Sequence, residues 1–391
     1  MKIKIVHADI LTPGEFLANQ EIDIKDGKII SINPSNNDLR CMSHNERVIN
    51  ARDLLVTPGL IDIHIHGCMG SDTMDATPEA LETMSIFLVQ HGVTSFHATT
   101  VSNPQENINL ALDNILHCED MLSGANLLGA HIEGPYINMK YKGAQNPKFL
   151  RSPQPEEYMT WIEKGIVKLL TFAPELDGSD DLIHFCVENK VELAIGHSNA
   201  TLDQVLHAAN LGVKQATHLF NGMSGLHHRE PGTVGGILYD PRIYAQVIAD
   251  GIHLHPAIVE LTIAVKGIDC VILITDAMRA TGLPDGEYEL GGQAVRVADG
   301  AARIANGSLA GSTLTLDQAI RNTIEFTKLD FQSVLKMATS TPATAMGISD
   351  RKGFIRVGND ADLTFFDSTY HVIATMVGGE FKFQIQNPIG E

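Results

Sequence analysis

Short apolar runs and amphipathic stretches alternate through the middle of the chain. The runs cover 59–66, 92–100, 127–133, 167–173, 191–197, 213–219, 244–250 and 270–275, each closing on a polar or glycine-rich cluster. Most are separated by stretches with helical spacing, at 78–91, 105–122, 180–189, 201–211 and 256–266. A strand that is apolar on both faces is buried on both, which requires a parallel sheet covered by helices. Eight such units over roughly 280 residues predict an α/β fold of the (β/α)8, TIM-like barrel type. A doubly wound open sheet is the alternative.

The two ends of the chain follow a shorter rhythm. Ile22-Asp23-Ile24-Lys25-Asp26-Gly27-Lys28-Ile29-Ile30 places an Asp-Gly pair between two strand-like runs, a hairpin signal. Similar runs recur at 354–358, 362–366 and 377–381. Isolated strand pairs bury too little surface to be stable, so the ends are expected to pack together. The predicted division is a small β-sandwich domain built from 1–57 and 351–391, around a catalytic barrel at 58–350. Two segments, 135–155 and 277–312, are longer than ordinary connections. Both follow predicted strand C-termini, the end at which barrel enzymes assemble their sites.

Composition narrows the function. Of 391 residues, 44% are hydrophobic and 19% charged, an ordinary globular balance with length enough for a large core. The formal net charge of −19 argues against binding nucleic acid or an anionic membrane. An anionic ligand would then need cationic groups placed locally. The longest apolar stretch, near 257–275, is interrupted by Glu260, Lys266 and Asp269, so no membrane span is expected. Cys41, Cys68, Cys118, Cys186 and Cys270 are odd in number and never spaced as CxxC. That pattern suits reduced thiols and a cytoplasmic location. Met1-Lys2-Ile3-Lys4 leads directly into a strand pattern, without the form of a signal peptide.

The polar residues at the strand ends carry the chemistry. His64 and His66 close the first run, and their i, i+2 spacing points both imidazoles to one side. Among 17 histidines such a pair is weak by itself, and His253 and His255 repeat it. The constellation is stronger. Glu133 ends the third run, His197 the fifth and His218 the sixth, while Asp276 follows the eighth. A barrel would converge these six at its mouth, where charged groups are costly unless paired or metal-bound. Imidazole and carboxylate suit a divalent Zn, Fe, Co or Mn ion, and the lack of thiolates argues against a structural zinc site. A bound metal can bring the pKa of water to about 7. Asp276 is placed to take that water's proton and pass it to a leaving group, a role worth roughly 10²–10⁴ in rate. The plainer role for Asp276 is that of a ligand alone.

Other clusters are more ambiguous. Asn221-Gly222-Met223 follows His218, and glycine permits close backbone approach to a ligand. Arg229, within His227-His228-Arg229-Glu230-Pro231-Gly232, can grip a phosphate bidentately, although by spacing alone a surface or Glu-paired arginine is the simpler reading. His7, His44, His117, His184 and His207 fall on peripheral elements. His131 shares a face with Glu133 and is expected to fill a barrel layer, and Cys68 is expected to be structural. The chain has no GxxxxGK[ST] loop, GxSxG elbow or Cys–His signature, which disfavours nucleotide hydrolysis and serine or thiol catalysis.

Taken together these residues resemble a known family. Val56-Thr57-Pro58-Gly59-Leu60-Ile61-Asp62-Ile63-His64-Ile65-His66-Gly67 resembles the opening of amidohydrolase-superfamily enzymes. His131-Ile132-Glu133-Gly134-Pro135-Tyr136, Lys142-Gly143-Ala144-Gln145-Asn146-Pro147, Gly196-His197-Ser198 and Thr217-His218-Leu219-Phe220-Asn221-Gly222-Met223 narrow the likeness to the N-acetylglucosamine-6-phosphate deacetylases. Arg229-Glu230-Pro231-Gly232, Ala249-Asp250-Gly251-Ile252-His253, Thr275-Asp276-Ala277 and Leu309-Ala310-Gly311-Ser312 extend it along nearly the whole chain.

The resemblance implies removal of acetate from N-acetylglucosamine 6-phosphate, with Glu133, His197 and His218 on the main metal and Asp276 as acid/base. It implies substrate contacts at Ala144, Gln145, Asn221, Gly222, Arg229, His253, Leu309, Ala310 and Gly311, with Arg229 and His253 reading the phosphate. It also implies a homodimer, in which the neighbouring subunit can contribute to the phosphate site. Some members lack the HxH pair. This chain keeps it, which predicts a second ion bridged through Glu133. Many members carry histidine where this chain has Gln145, and glutamine can donate a neutral hydrogen bond but cannot shuttle a proton. The rival substrates are N-acetylgalactosamine 6-phosphate and, more widely, a cyclic amide. The latter enzymes often use a lysine after the fourth strand, where Phe172-Ala173-Pro174-Glu175 offers none. A non-catalytic relative would be expected to have lost ligands, and none is missing here.

Overall fold

The computed structural model describes residues 2–35 and 46–385; Cys41 and His44 lie outside them. Eight parallel strands form one sheet in chain order: Leu60–Ile65, Val93–Thr100, Asn126–Glu133, Val167–Phe172, Glu192–Ile195, Gln215–Ala216, Tyr244–Val247 and Val271–Leu273. A parallel bridge between Ile65 and Ala277 joins the first strand to the segment after the last, giving a nearly closed barrel. The open doubly wound alternative is thereby excluded.

The five stretches with helical spacing are helices at Pro78–Gln90, Gln105–Cys118, Ser179–Glu188, Leu202–Leu211 and Pro256–Lys266. Their ends follow local chemistry. Thr77 caps the first helix by accepting from the Ala80 amide, with Pro78 at its first position. Thr201 and Gln204 form a reciprocal capping box on the fourth. The later barrel strands are shorter than the apolar runs that announced them. The run at 213–219 pairs only at Gln215–Ala216, because the backbone then turns out of the sheet into the left-handed region at His218.

Both chain ends enter a second sheet, ordered Glu380–Gln384, Val372–Val377, Leu363–Phe366, Leu55–Pro58, Lys2–Thr12, Glu15–Lys25, Lys28–Pro34, with Glu46–Asn50 also pairing to Lys2–Thr12. Asp26 and Gly27 turn the expected hairpin with positive φ at both positions, 50° and 76°. Ile5, Ile10, Ile22, Val56, Leu363 and Phe365 fill a core of this sheet's own.

The long segment after the eighth strand contains a feature that periodicity did not resolve. Gly286–Leu290, Gln293–Ala298 and Ala301–Ile304 form a three-stranded antiparallel sheet over a small core of Val101, Met278, Val295 and Ala310. This insert leans over the barrel mouth, and the Gln293 side-chain amide donates to the Ala144 carbonyl.

Candidate active site

The barrel brings the six predicted ligand residues together. His64, His66, Glu133, His197, His218 and Asp276 are between 0 and 7% exposed. Glu133 sits at the centre. Its Oε1 lies 2.9 Å from His218 Nε2 and 3.1 Å from His197 Nε2. Its Oε2 lies 3.3 Å from His66 Nε2. Asp276 Oδ1 is 3.1 Å from His66 Nε2 and 3.3 Å from His64 Nε2. Two triads result, His64–His66–Glu133 and Glu133–His197–His218, with the ligand atoms of each within 4.8 Å of one another.

The outer ring nitrogens decide what the inner ones can do. His197 Nδ1 is 2.9 Å from the Tyr141 carbonyl, His218 Nδ1 is 3.2 Å from that of Asn221, and His66 Nδ1 is 3.2 Å from that of Thr99. A carbonyl only accepts, so in each neutral ring Nδ1 carries the hydrogen and Nε2 presents a lone pair. Lone pairs and carboxylate oxygens then face one another across about 3 Å. A cation between them resolves that arrangement, and a carbonyl-held histidine is the usual form of a metal ligand. The donor set therefore fits one or two divalent ions. Burial alone would raise the Glu133 carboxyl, but His197, His218 and His66 hold it well below the ordinary carboxylate range. Burial would raise Asp276 likewise, and the neighbouring His64 and His66 hold it well below. Both carboxylates are ionised at neutral pH.

The backbone is bent to achieve this. His197, His218 and Asp276 adopt positive φ, at 48°, 31° and 49°. Such conformations are uncommon outside glycine and cluster at functional sites. Support comes from residues that sequence reasoning passed over. Asp62 accepts from Thr275 Oγ1 at 2.6 Å and from the His64 amide at 3.2 Å, tying the first strand to the eighth beneath the site. Burial pushes its carboxyl up to about 6. Asp62 shares the alternation of His64 and His66, so the i, i+2 rule could have found it. His131 is fully buried; its ring nitrogens contact Thr99 Oγ1 and Thr171 Oγ1, and its ring meets His64 edge-on. That is the layer-filling role expected of it.

Above the cluster lies a cavity of about 270 Å³, lined by His66, Glu133, His197, His218 and Asp276 below and by Ala144, Gln145, Asn221, Gly222, His253, Leu309 and Gly311 around it. His253 is oriented by a 2.6 Å contact between Nδ1 and Asp250 Oδ2. Ala310 points away from the cavity into the insert's core. Arg229 is not in the lining. It is exposed on the loop after Asn221, beside His228 Nε2 at 2.7 Å, and forms no ion pair among the described residues. No lysine or arginine lines this cavity among those residues.

Gly222 supports the cluster by having no side chain. Its φ is +61°, and a Cβ there would lie 2.6 Å from His197 Nδ1 and 2.9 Å from the Tyr141 carbonyl. Gly222→Ala is therefore expected to dislodge His197 from Tyr141 and weaken zinc binding by at least about tenfold. A competition titration against a chelator checks this, and an unchanged zinc affinity would show that the ring is not held in this way.

A (β/α)8 barrel with histidine and carboxylate ligands at the C-terminal ends of its strands defines a hydrolase of the metal-dependent, water-activating kind. Comparison with known proteins agrees: residues 55–389 match the Amidohydrolase family, and the chain belongs to it. It is 40% identical over 381 residues to the N-acetylglucosamine-6-phosphate deacetylase of Bacillus subtilis (strain 168), covering 96% of this chain and 95% of that protein. It is 36% identical over 374 residues to the N-acetylgalactosamine-6-phosphate deacetylase of Escherichia coli O157:H7, covering 95% and 97%. The crystal structure of N-acetylglucosamine-6-phosphate deacetylase from Pasteurella multocida superposes with a TM-score of 0.92 at 30% identity, covering 97% of this chain and 99% of that one.

Proposed function

We propose that this chain removes acetate from N-acetylglucosamine 6-phosphate to give glucosamine 6-phosphate. The observation that carries the reading is the pair of ligand triads sharing Glu133 at the floor of a polar cavity, with ionised Asp276 at its edge. Kinship with deacetylases of phosphorylated amino sugars over nearly the full chain supplies the substrate class.

Glu133, His197 and His218 would hold the principal ion, and His64, His66 and Asp276, together with Glu133, would hold a second one. Zn, Fe, Co and Mn all suit these donors. When bound, the ion supplies a Lewis acid that polarises a carbonyl and lowers the pKa of water to about 7. Asp276 Oδ1 accepts the proton that water loses as its oxygen adds to the acetamide carbonyl carbon. The same carboxyl then returns the proton to the sugar nitrogen as the C–N bond breaks, releasing acetate and the free amine. Ala144, Asn221, Gly222, His253, Leu309 and Gly311 would shape the sugar subsite.

The phosphate requires a cation, and none lines the cavity among the described residues. Arg229, exposed and without an acidic partner among those residues, would supply it by reaching the cavity of a second copy, with His253 completing the site in the homodimer. No helix among the described residues is long and apolar enough to cross a membrane, and Cys68, Cys118, Cys186 and Cys270 are free thiols, in keeping with a cytoplasmic enzyme.

The test is acetate release from N-acetylglucosamine 6-phosphate, its galacto epimer and unphosphorylated N-acetylglucosamine, using metal-reloaded protein. The gluco phosphate is expected to give the highest kcat/KM, with at least about 10²-fold lost on removing the phosphate, since that forfeits charge-assisted hydrogen bonds. The relative from Escherichia coli favours a second reading, and a higher kcat/KM for the galacto epimer would establish it. Failure on both phosphates would overturn the proposal.

A further inference from the structure

Gln145 was expected to touch substrate. It lines the cavity, and both ends of its carboxamide are engaged within the protein. The amide oxygen Oε1 accepts from the Ser102 backbone N–H at 2.8 Å, which fixes the orientation of the carboxamide because that partner can only donate. The amide nitrogen Nε2 is thereby turned to Glu133 and donates to its Oε2 at 2.7 Å. Gln145 itself is 7% exposed, and its own backbone amide is tied to the Lys142 carbonyl at 2.9 Å.

The consequence follows from how Glu133 divides its oxygens. Oε1 serves both His197 and His218. Among the described residues, Oε2 faces Gln145 at 2.7 Å and His66 at 3.3 Å. The carboxylate could turn about its last bond and swing its oxygens out of the plane that faces the imidazoles, and Gln145 is the neutral donor that holds that plane. Ser102 lies two residues beyond the end of the second barrel strand, so the chain from Ser102 N–H through the Gln145 carboxamide to Glu133 Oε2 references the central carboxylate to the barrel itself.

We infer that Gln145 is a positioning residue for Glu133, setting the affinity of the centre for its divalent ion rather than reading the sugar. This rests on the reading of Glu133, His197 and His218 as a metal site. Partners of metal-ligating carboxylates typically contribute 10- to 100-fold to metal affinity.

The experiment uses the full chain, stripped of metal and titrated with zinc ion against a competing chelator. Gln145→Leu, similar in size but without either contact, is expected to weaken zinc binding by about 10- to 100-fold. After saturation with zinc, its KM for N-acetylglucosamine 6-phosphate should stay within about threefold of wild type, since a lost contact to one bound state leaves uniform substrate binding intact. Gln145→Asn, one methylene shorter and unable to span both partners, should move zinc affinity the same way by a smaller factor, and it covers the case in which the leucine variant misfolds. Unchanged zinc affinity in a folded variant, or a KM raised tenfold or more with zinc affinity intact, would overturn the inference while leaving the metal centre standing. A wild-type chain that binds no zinc would overturn both.

Discussion

Asp276→Asn is expected to lower kcat for acetate release by about 10²–10⁴-fold while the protein keeps its metal. Asparagine has nearly the shape of aspartate and retains an oxygen that can face His64 and His66, now 3.3 and 3.1 Å from Oδ1. What it lacks is a basic site. The carboxylate of Asp276 is ionised because the two imidazoles outweigh the cost of its burial, so in wild type it is available as a base throughout the neutral range. The triad that could hold the principal ion, Glu133, His197 and His218, does not include Asp276. Loss of turnover with metal content and KM preserved would therefore isolate the proton transfer. Elemental analysis beside steady-state kinetics makes the separation, and near-normal acetate release by the variant would refute the role. Loss of both metal and activity would instead make Asp276 chiefly a ligand.

Much of this centre could be read from the chain because its residues obey strand logic. His64 and His66 share a face through alternation, Glu133, His197 and His218 fall at the ends of apolar runs, and Asp276 follows one. Convergence then needs only the barrel, and the barrel was legible in eight apolar runs with amphipathic stretches between most of them. What escaped depends on distant backbone. The carbonyls of Tyr141, Asn221 and Thr99 fix the three imidazoles, and no residue type marks a carbonyl in sequence. The Asp62–Thr275 tie joins residues more than two hundred positions apart. Positive φ at His197, His218 and Asp276 runs against local preference and is imposed by the surrounding fold. The three-stranded insert was seen only as excess length, since its strands alternate polar and apolar over few residues. Arg229 illustrates the converse: spacing alone suggested a surface arginine and the resemblance implied a phosphate contact, and the fold places it outside the lining of its own chain's cavity.

Exhaustive chelation is expected to bring deacetylation to background and to lower the apparent melting temperature, and readdition of one divalent ion is expected to restore both. The argument starts from the cost of the metal-free cluster. Five polar side chains no more than 7% exposed crowd around Glu133, and His64 Nδ1 has no hydrogen-bond partner among the described residues. Without a cation, the carboxylates can be balanced only by protons on the histidines. Burial resists charging His66, His197 and His218, and for His218 that resistance prevails, its imidazole being lowered despite the contact with Glu133. A lone pair then confronts a carboxylate oxygen at 2.9 Å. An ion present at 1,000 times its dissociation constant stabilises the folded state by about 4 kcal/mol, provided that the unfolded chain does not bind it. Activity should return in proportion to occupancy of the Glu133–His197–His218 triad when Zn, Mn, Co or Fe is added back singly. The slope of that recovery distinguishes one required ion from two: a linear return complete at one equivalent assigns catalysis to that triad alone, whereas a lag up to the first equivalent assigns it to the pair. Full activity and an unshifted melting temperature after chelation, with metal content verified as nil, would remove the metal from the mechanism altogether.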